Sequence, residues 1–442
     1  MAGIFKAYDV RGLYPEGVDR AVAEKIGRAF AAMKNVRNVV VGRDMRVSSD
    51  ELFAGLSAGL SAAGVNVTDL GKCSTPILYH AVGTLKADGG VMITASHNPG
   101  GWNGFKLCLA NAVPLGITNG LKEIESAVNA GDFADAPVKG AIRQIDMTAE
   151  YGKFVRQFAK FDGKKLKVVC DFGNGMGSIE IAGIRDLFDV IPMYEEPDGT
   201  FPNHEANPLK TETLKDICAK VRETGAAFGA AFDGDADRCG FVDETGRIIS
   251  MDLFTALIAC DVLRSGPATI LYDLRSSHAV PECIAENGGT PMMTPVGHSF
   301  IKKKMRETGA AFAGELSGHY YFRENFCAES QALAMVKFAN LLCRTGKKAS
   351  ELVAPLRRYH STGELNYKVE DIPAILDRVR KTYSGKGEWF ELDGVSGEYG
   401  SWRFNLRASN TEPLLRLIVE ADTAEKMTEE RDRLLSVILK ND

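Results

Sequence analysis

Nowhere in the 442 residues is there a Cys-x-x-Cys pair, an apolar run long enough to span a bilayer, or an excess of basic charge. Each absence removes a class of function. Cys73, Cys108, Cys170, Cys218, Cys239, Cys260, Cys283, Cys327 and Cys343 are odd in number and scattered, so they read as reduced core residues, neither a disulfide frame nor a zinc site. In "MAGIFKAYDVRG" the charge of Lys6 arrives before any secretory apolar stretch can form. The expectation is a cytoplasmic protein without a membrane partner. The formal net charge of -5 argues against general nucleic-acid binding. An anionic ligand then has to be held by a few local cations and not by a broad basic face.

What is present is a recurring order of elements. "RNVVVGRDMRVSSDELFAGLSAGLSAAGVNVTDLG" reads as strand, polar turn, helix, glycine stop and strand. Ser48 and Glu51 have the spacing of a capping box, Leu52, Leu56 and Leu60 share a face, and Gly64 closes the helix. The same order returns in "LKVVCDFGNGMGSIEIAGIRDLFDVIPMYEEPDG" and "ATILYDLRSSHAVPECIAENGGTPMMTPVG". Three related α/β domains with mixed sheets are expected, over residues 1–147, 148–249 and 250–359. From residue 360 to 442 the pattern changes to short strands around a helix from about Ile372, then a last helix from Thr423. That alternation predicts a smaller α+β domain with an antiparallel sheet.

Four loops carry the chemistry. "GGVMITASHNPGGWNGFK" starts as a buried strand and breaks at Thr94 into small polar residues, placing Ser96 and His97 where the strand empties. In "AAFDGDADRCGFVDETGRII", Asp233, Asp235 and Asp237 alternate, so an extended loop projects three carboxylates to one side. Clustered anions repel unless a cation lies among them, and so few oxygen ligands fit magnesium better than calcium. An EF-hand is excluded because Arg238 stands where the sharp turn needs glycine and the flanks read as strands. Glu315, Ser317 and His319 of "AGELSGHYYF" taken alone are only a glycine-bracketed turn. In "FNLRASNTEPLLRL", Arg407 with Ser409, Asn410 and Thr411 suits a phosphate as well as it suits a capped β-turn.

Together, in this order and spacing, the four loops resemble those of the α-D-phosphohexomutase superfamily, most closely its bacterial phosphomannomutase/phosphoglucomutase branch. "TASHNP" is similar to the family's phosphoserine loop, "DGDADR" to its metal loop, "GELSGH" to its sugar-reading loop and "RASNTEP" to its phosphate-binding loop. The resemblance implies that Ser96 carries a phosphoryl group, gives it to a hexose phosphate to form a 1,6-bisphosphate, and takes the other phosphate back. It implies magnesium on Ser96, Asp233, Asp235 and Asp237, and hexose 1,6-bisphosphate as activator. It also implies an active site in the central cleft between the domains, with Arg11, Lys106, Arg238 and His298 around the reacting groups and Tyr8 and Arg275 lining the cleft. His97 follows Ser96 directly, and since neighbouring strand residues face opposite ways it is assigned a local role in orienting the loop. Lys302, Lys303 and Lys304 read as a solvated helix face.

Leu316 stands where that branch usually has methionine, a swap of similar volume. Phosphoglucosamine mutases usually have glutamine there, which leaves that activity as the nearest alternative. Gly173, Gly175 and Gly177 miss the dinucleotide-binding spacing because Ser178 holds the last place. A non-catalytic phosphosugar sensor would need neither Ser96 nor the aspartates, and a phosphoserine hydrolase would not need Arg407.

Overall fold

The computed structural model describes residues 3–161, 163–409 and 414–439, and four β-sheets follow one another along them. The first runs in the order Val10–Leu13, Trp102–Leu109, Gly89–Ile93, Asn38–Arg43, Asn66–Lys72, Ile142–Gln144, with Val113–Pro114 paired to Trp102–Leu109. Its central strands are buried on both faces, as their near-continuous apolar sequence requires. Val39, Val41, Val91 and Ile93 pack with Ile26, Phe30, Leu52 and Leu56 on one side. Val40 and Met92 pack with Ile77, Leu78 and Val82 on the other. The alternation is the two-residue period of a strand.

A single topological device recurs in the first three sheets. Gly89–Ile93 lies parallel to Asn38–Arg43 and then turns back antiparallel into Trp102–Leu109. Phe228–Phe232 does the same between Lys167–Asp171 and Cys239–Asp243. Phe312–Gly314 repeats it between Thr269–Asp273 and Tyr320–Phe322. The "TASHNP", "DGDADR" and "ELSGH" loops are these three turns. The fourth sheet is antiparallel throughout, and Trp402–Ala408 pairs with Leu415–Ala421 across the fourth loop.

One hydrophobic cluster runs through the first three sheets, joining Tyr79 to Phe172 and Phe232, and these to Phe254, Tyr320 and Phe338. Phe241 stacks on Phe254 with centroids 3.7 Å apart. The fourth sheet has its own core of Ile375, Val379, Phe404, Leu406, Leu417 and Leu434. Polar contacts tie it to the third: His278 N donates to Glu420 (2.9 Å), Val296 N to Asp393 (3.2 Å), and Arg403 to the carbonyls of Leu274 and Ser276. Among the described residues no helix is long and apolar enough to cross a membrane.

Two local expectations are corrected. Ser48 already has helical dihedrals and makes no side-chain cap before helix Ser49–Ala62. Its hydroxyl accepts from Asn103 (2.8 Å), and Glu51 accepts from the Tyr14 hydroxyl (2.5 Å), so the capping box does not form. Lys302 is not solvated. Helix His298–Thr308 buries Ile301, Lys302 and Met305 on one face, and Lys302 Nζ lies 2.6 Å from Glu329 in an enclosed ion pair. Lys303 and Lys304 do face solvent.

Candidate active site

The nucleophile candidate sits on strained backbone. Ser96 has φ of 51°, left-handed and unusual for a residue with a Cβ. Its N–H donates to Thr94 Oγ1 (2.8 Å), its Oγ donates to Asp233 Oδ2 (2.8 Å), and the same Oγ is 3.3 Å from His97 Nδ1. Because the turn has left the extended conformation, Ser96 and His97 face the same pocket, against the opposite-face expectation. Burial, then the charges of Arg238 and Arg11, hold His97 well below the usual imidazole range.

Asp233, Asp235 and Asp237 are all buried, each with a carboxylate oxygen within 4.8 Å of the others'. Asp235 Oδ1 has no hydrogen-bond partner among the described residues. Asp237 Oδ1 has, among the described residues, the ionic neighbours His319 Nε2 at 3.4 Å and Arg238 Nε at 4.0 Å. An all-oxygen set with unsatisfied buried carboxylate oxygens, and Ser96 Oγ beside it, fits a hard divalent cation. Lys106, on the strand after the serine loop, reaches Asp235 (2.6 Å) and Asp237. Burial alone would lower the Lys106 pKa, but Asp235, Asp237 and Asp233 raise it, so Lys106 stays an ammonium. Asp233 is pushed well up, by burial and then by Asp237 and Asp235. Burial opposes the ionisation of Asp237, but Lys106 and His319 bring it well down.

The third loop folds over this cluster. Ser317 Oγ is 2.8 Å from His319 Nδ1, and Glu315 accepts from Gly297 N (3.1 Å) and from the Tyr321 hydroxyl. Burial would lower the His319 pKa, yet Asp237 and Glu315 bring it up to about 9. His298 starts its helix beside Gly297, in edge contact with Tyr8 (5.3 Å) and 6.3 Å from His319. Burial, then Lys302 and His319, hold His298 well below its usual range, and its buried Nδ1 has no hydrogen-bond partner among the described residues. Gly297 (φ 133°) is needed here, since a Cβ would sit 2.8 Å from the Tyr8 hydroxyl. Arg11 pairs with Asp9 and donates to Asn98 Oδ1 (2.8 Å), which ties it to the serine loop.

Arg275 and Arg407 meet farther off, at the junction with the fourth sheet. Glu364 accepts from Arg407 (2.7 Å) and Arg416 (3.1 Å) and lies 3.5 Å from Arg275. Leu316 N donates to Asp273, which also holds Arg275, so the third loop and this cationic group share a partner. Ser409 N donates to Leu414 O across the loop mouth (2.8 Å). Asn410 and Thr411 lie outside the described residues.

Sequence reasoning missed several partners. Thr75 donates to Asp235 (2.6 Å), Gln331 holds the Asp237 carbonyl (2.6 Å), and Glu364 gathers the arginines. Gly234 has the Ser96 carbonyl against it, where a Cβ would come within 2.4 Å. That glycine, between two aspartates, was the one readable sign that another backbone passes close by.

The chain matches four domain families in succession. They are phosphoglucomutase/phosphomannomutase alpha/beta/alpha domain I over residues 2–135, domain II over 149–246, domain III over 250–359, and the C-terminal domain over 364–437. It is 39% identical to the phosphohexose mutases of Xanthomonas campestris pv. campestris, with 99% of each chain covered. It is 38% identical to the phosphomannomutase of Methanocaldococcus jannaschii, over 99% of this chain and 98% of that one. The solved phosphoglucomutase/phosphomannomutase family protein of Burkholderia thailandensis superposes with a TM-score of 0.91 at 34% identity, over 99% of this chain and 98% of that one.

Proposed function

The chain belongs to the phosphoglucomutase/phosphomannomutase family and is a hexose-phosphate mutase, and from that premise we propose that Ser96 is its phosphoryl carrier. The observation behind this reading is the Ser96 hydroxyl 2.8 Å from Asp233, at the edge of the cluster of Asp233, Asp235 and Asp237 that Lys106 also joins. The substrates are hexose phosphates, mannose and glucose phosphates in particular, and phosphate moves between carbons one and six. In the first half of the reaction a sugar hydroxyl oxygen bonds to phosphorus as the bond from phosphorus to Ser96 Oγ breaks. The second half reverses this with the other phosphate, so hexose 1,6-bisphosphate is the intermediate and also reprimes a dephosphorylated enzyme.

Magnesium held by Ser96 and the three aspartates would supply charge stabilisation at the phosphoryl group. The protein's own residues do the rest. Lys106, paired with Asp235 and Asp237, stabilises charge on the departing serine oxygen. His298, whose buried Nδ1 has no hydrogen-bond partner among the described residues, is assigned the proton of the attacking hydroxyl. Arg11 and Arg238 flank the phosphoryl position, and His97 orients the serine. Glu315, Ser317 and His319 read sugar hydroxyls while Tyr8 lines the cleft. The distal phosphate falls to Arg275 and Arg407, with Ser409, Asn410 and Thr411 of the fourth loop. We place the reaction in the cytoplasm, on the scattered spacing of the nine cysteines.

The test is turnover of mannose 1-phosphate, glucose 1-phosphate and glucosamine 1-phosphate side by side, with a trace of bisphosphate. A loop that reads hydroxyls common to glucose and mannose should discriminate between these two by less than about a hundredfold. A strong preference for glucosamine 1-phosphate would overturn the substrate assignment.

A further inference from the structure

One buried side chain grips the Ser96 turn from behind. Arg46 follows strand Asn38–Arg43 and its side chain has no exposed surface. Its Nη2 donates to the carbonyls of Ser96 (2.9 Å) and Asn98 (2.6 Å), and its Nη1 to those of Pro99 (2.7 Å) and Trp102 (2.9 Å). The remaining donor, Nε, goes to Asp44 Oδ2 (3.1 Å). All five guanidinium N–H groups are therefore used, four of them on backbone of a single turn. Asp44 is itself held by Arg46 N (3.1 Å) and Ser49 Oγ (2.7 Å). From the second domain, the Phe201 ring lies 5.3 Å from the guanidinium carbon. Gly199 packs so closely that a Cβ there would be 2.5 Å from Arg46 Cα.

We propose that Arg46 is the positioning residue that holds Ser96 in its left-handed, transfer-ready conformation; the inference rests on the reading of Ser96 as phosphoryl carrier. A non-glycine residue keeps such a conformation only where its surroundings over-determine it. Arg46 supplies that constraint by fixing the carbonyls of Ser96, Asn98, Pro99 and Trp102 together. With every donor committed it has none left for a phosphate, so it acts through the turn and does not touch substrate. Lysine cannot replace it, because an ammonium offers three donors from one point while the four carbonyls need a planar fork.

The experiment follows single-turnover transfer from labelled hexose 1,6-bisphosphate to Ser96 in wild type, Arg46→Lys, Arg46→Gly and Asp44→Asn. Arg46→Lys is expected to slow transfer at least about thirtyfold, as misplacement of a reacting atom does, with KM within about threefold of wild type. Methylguanidine should restore at least about tenfold of the rate of Arg46→Gly, and ethylammonium at equal ionic strength should not. Asp44→Asn keeps the guanidinium and weakens its Nε anchor, so it should show a smaller loss and serves as the arm that does not delete Arg46. Equal transfer rates per folded molecule in Arg46→Lys and wild type would overturn the inference. So would methylguanidine that raises thermal stability without raising the rate, or an Asp44→Asn enzyme with unaltered transfer. Wild type that takes no label on Ser96 would instead overturn the proposed function, so the two failures are distinct.

Discussion

Lys302→Met removes a charge from the interior while keeping the length of the side chain. Lys302 Nζ is 2.6 Å from Glu329 Oε2, both side chains are sealed from solvent, and the Tyr79 ring lies 3.8 Å from the ammonium. Neither Glu329 carboxylate oxygen receives a hydrogen bond from any other described residue. Deleting one partner of such a pair strands the other, at a cost of about 3–5 kcal/mol. With a urea slope of about 3 kcal/mol per molar, the unfolding midpoint should fall by about 1–1.7 M. The assay is urea denaturation followed by intrinsic fluorescence for wild type, Lys302→Met, and Lys302→Met with Glu329→Gln. Neutralising the stranded carboxylate should recover more than half of the loss. A single-variant shift below about 0.3 M, or a double variant no more stable than the single, would refute the claim that this is a buried pair whose halves depend on each other.

Other perturbations test the site and the domain junctions. Asp235→Asn should keep the fold, since its oxygen still accepts from Thr75 (2.6 Å), but should raise the magnesium needed for half-maximal activity at least about tenfold. Full activity in chelator would make the aspartates structural. Arg407→Ala should raise KM about 10- to 150-fold, the equivalent of one charge-assisted hydrogen bond, and leak free bisphosphate in a radiolabelled turnover assay. Unchanged KM with no extra leakage would remove Arg407 from the distal clamp. Glu180 joins the first three domains, accepting from Ser74 (2.6 Å), Tyr151 (2.7 Å) and Ala332 N (3.0 Å). Burial pushes Glu180 up to about 7 despite these hydrogen bonds from Ser74, Ala332 and Tyr151. The native state therefore holds a proton that the unfolded chain releases near pH ~4.3, and this stabilisation is lost as pH rises through about 7, by at most about 1.4 kcal/mol per pH unit. Glu180→Gln should flatten the decline in melting temperature over that window. An identical pH profile in the variant would refute the assignment.

The parts of the site that could be read from sequence are those where a strand's apolar run breaks into chemically distinctive side chains. Val91, Met92 and Ile93 give way to Thr94 and Ser96, and "AAF" gives way to three alternating aspartates, because a buried strand must end before polar groups can gather. Arg46 was missed for a physical reason. Its partners are backbone carbonyls about fifty residues away, and carbonyls carry no sequence signature. Glu364 was missed similarly, since only folding brings Arg275, Arg407 and Arg416 around it. Lys302 was hidden by its lysine neighbours, although its place between Ile301 and Met305 on the helix was a readable sign of burial. Ser48 misled because it had already turned helical, which left its hydroxyl to Asn103.

The central claim is that phosphate travels through Ser96, and the most direct measurement is label transfer to the intact enzyme. Wild-type protein incubated with labelled hexose 1,6-bisphosphate should gain a single phosphate on the Ser96 peptide by mass spectrometry, and unlabelled hexose phosphate should chase that label into bisphosphate as fast as steady-state turnover. Ser96→Ala should take up none and lose at least about a hundredfold in rate. Label on another residue, or label on Ser96 that chases more slowly than the enzyme turns over, would contradict the account.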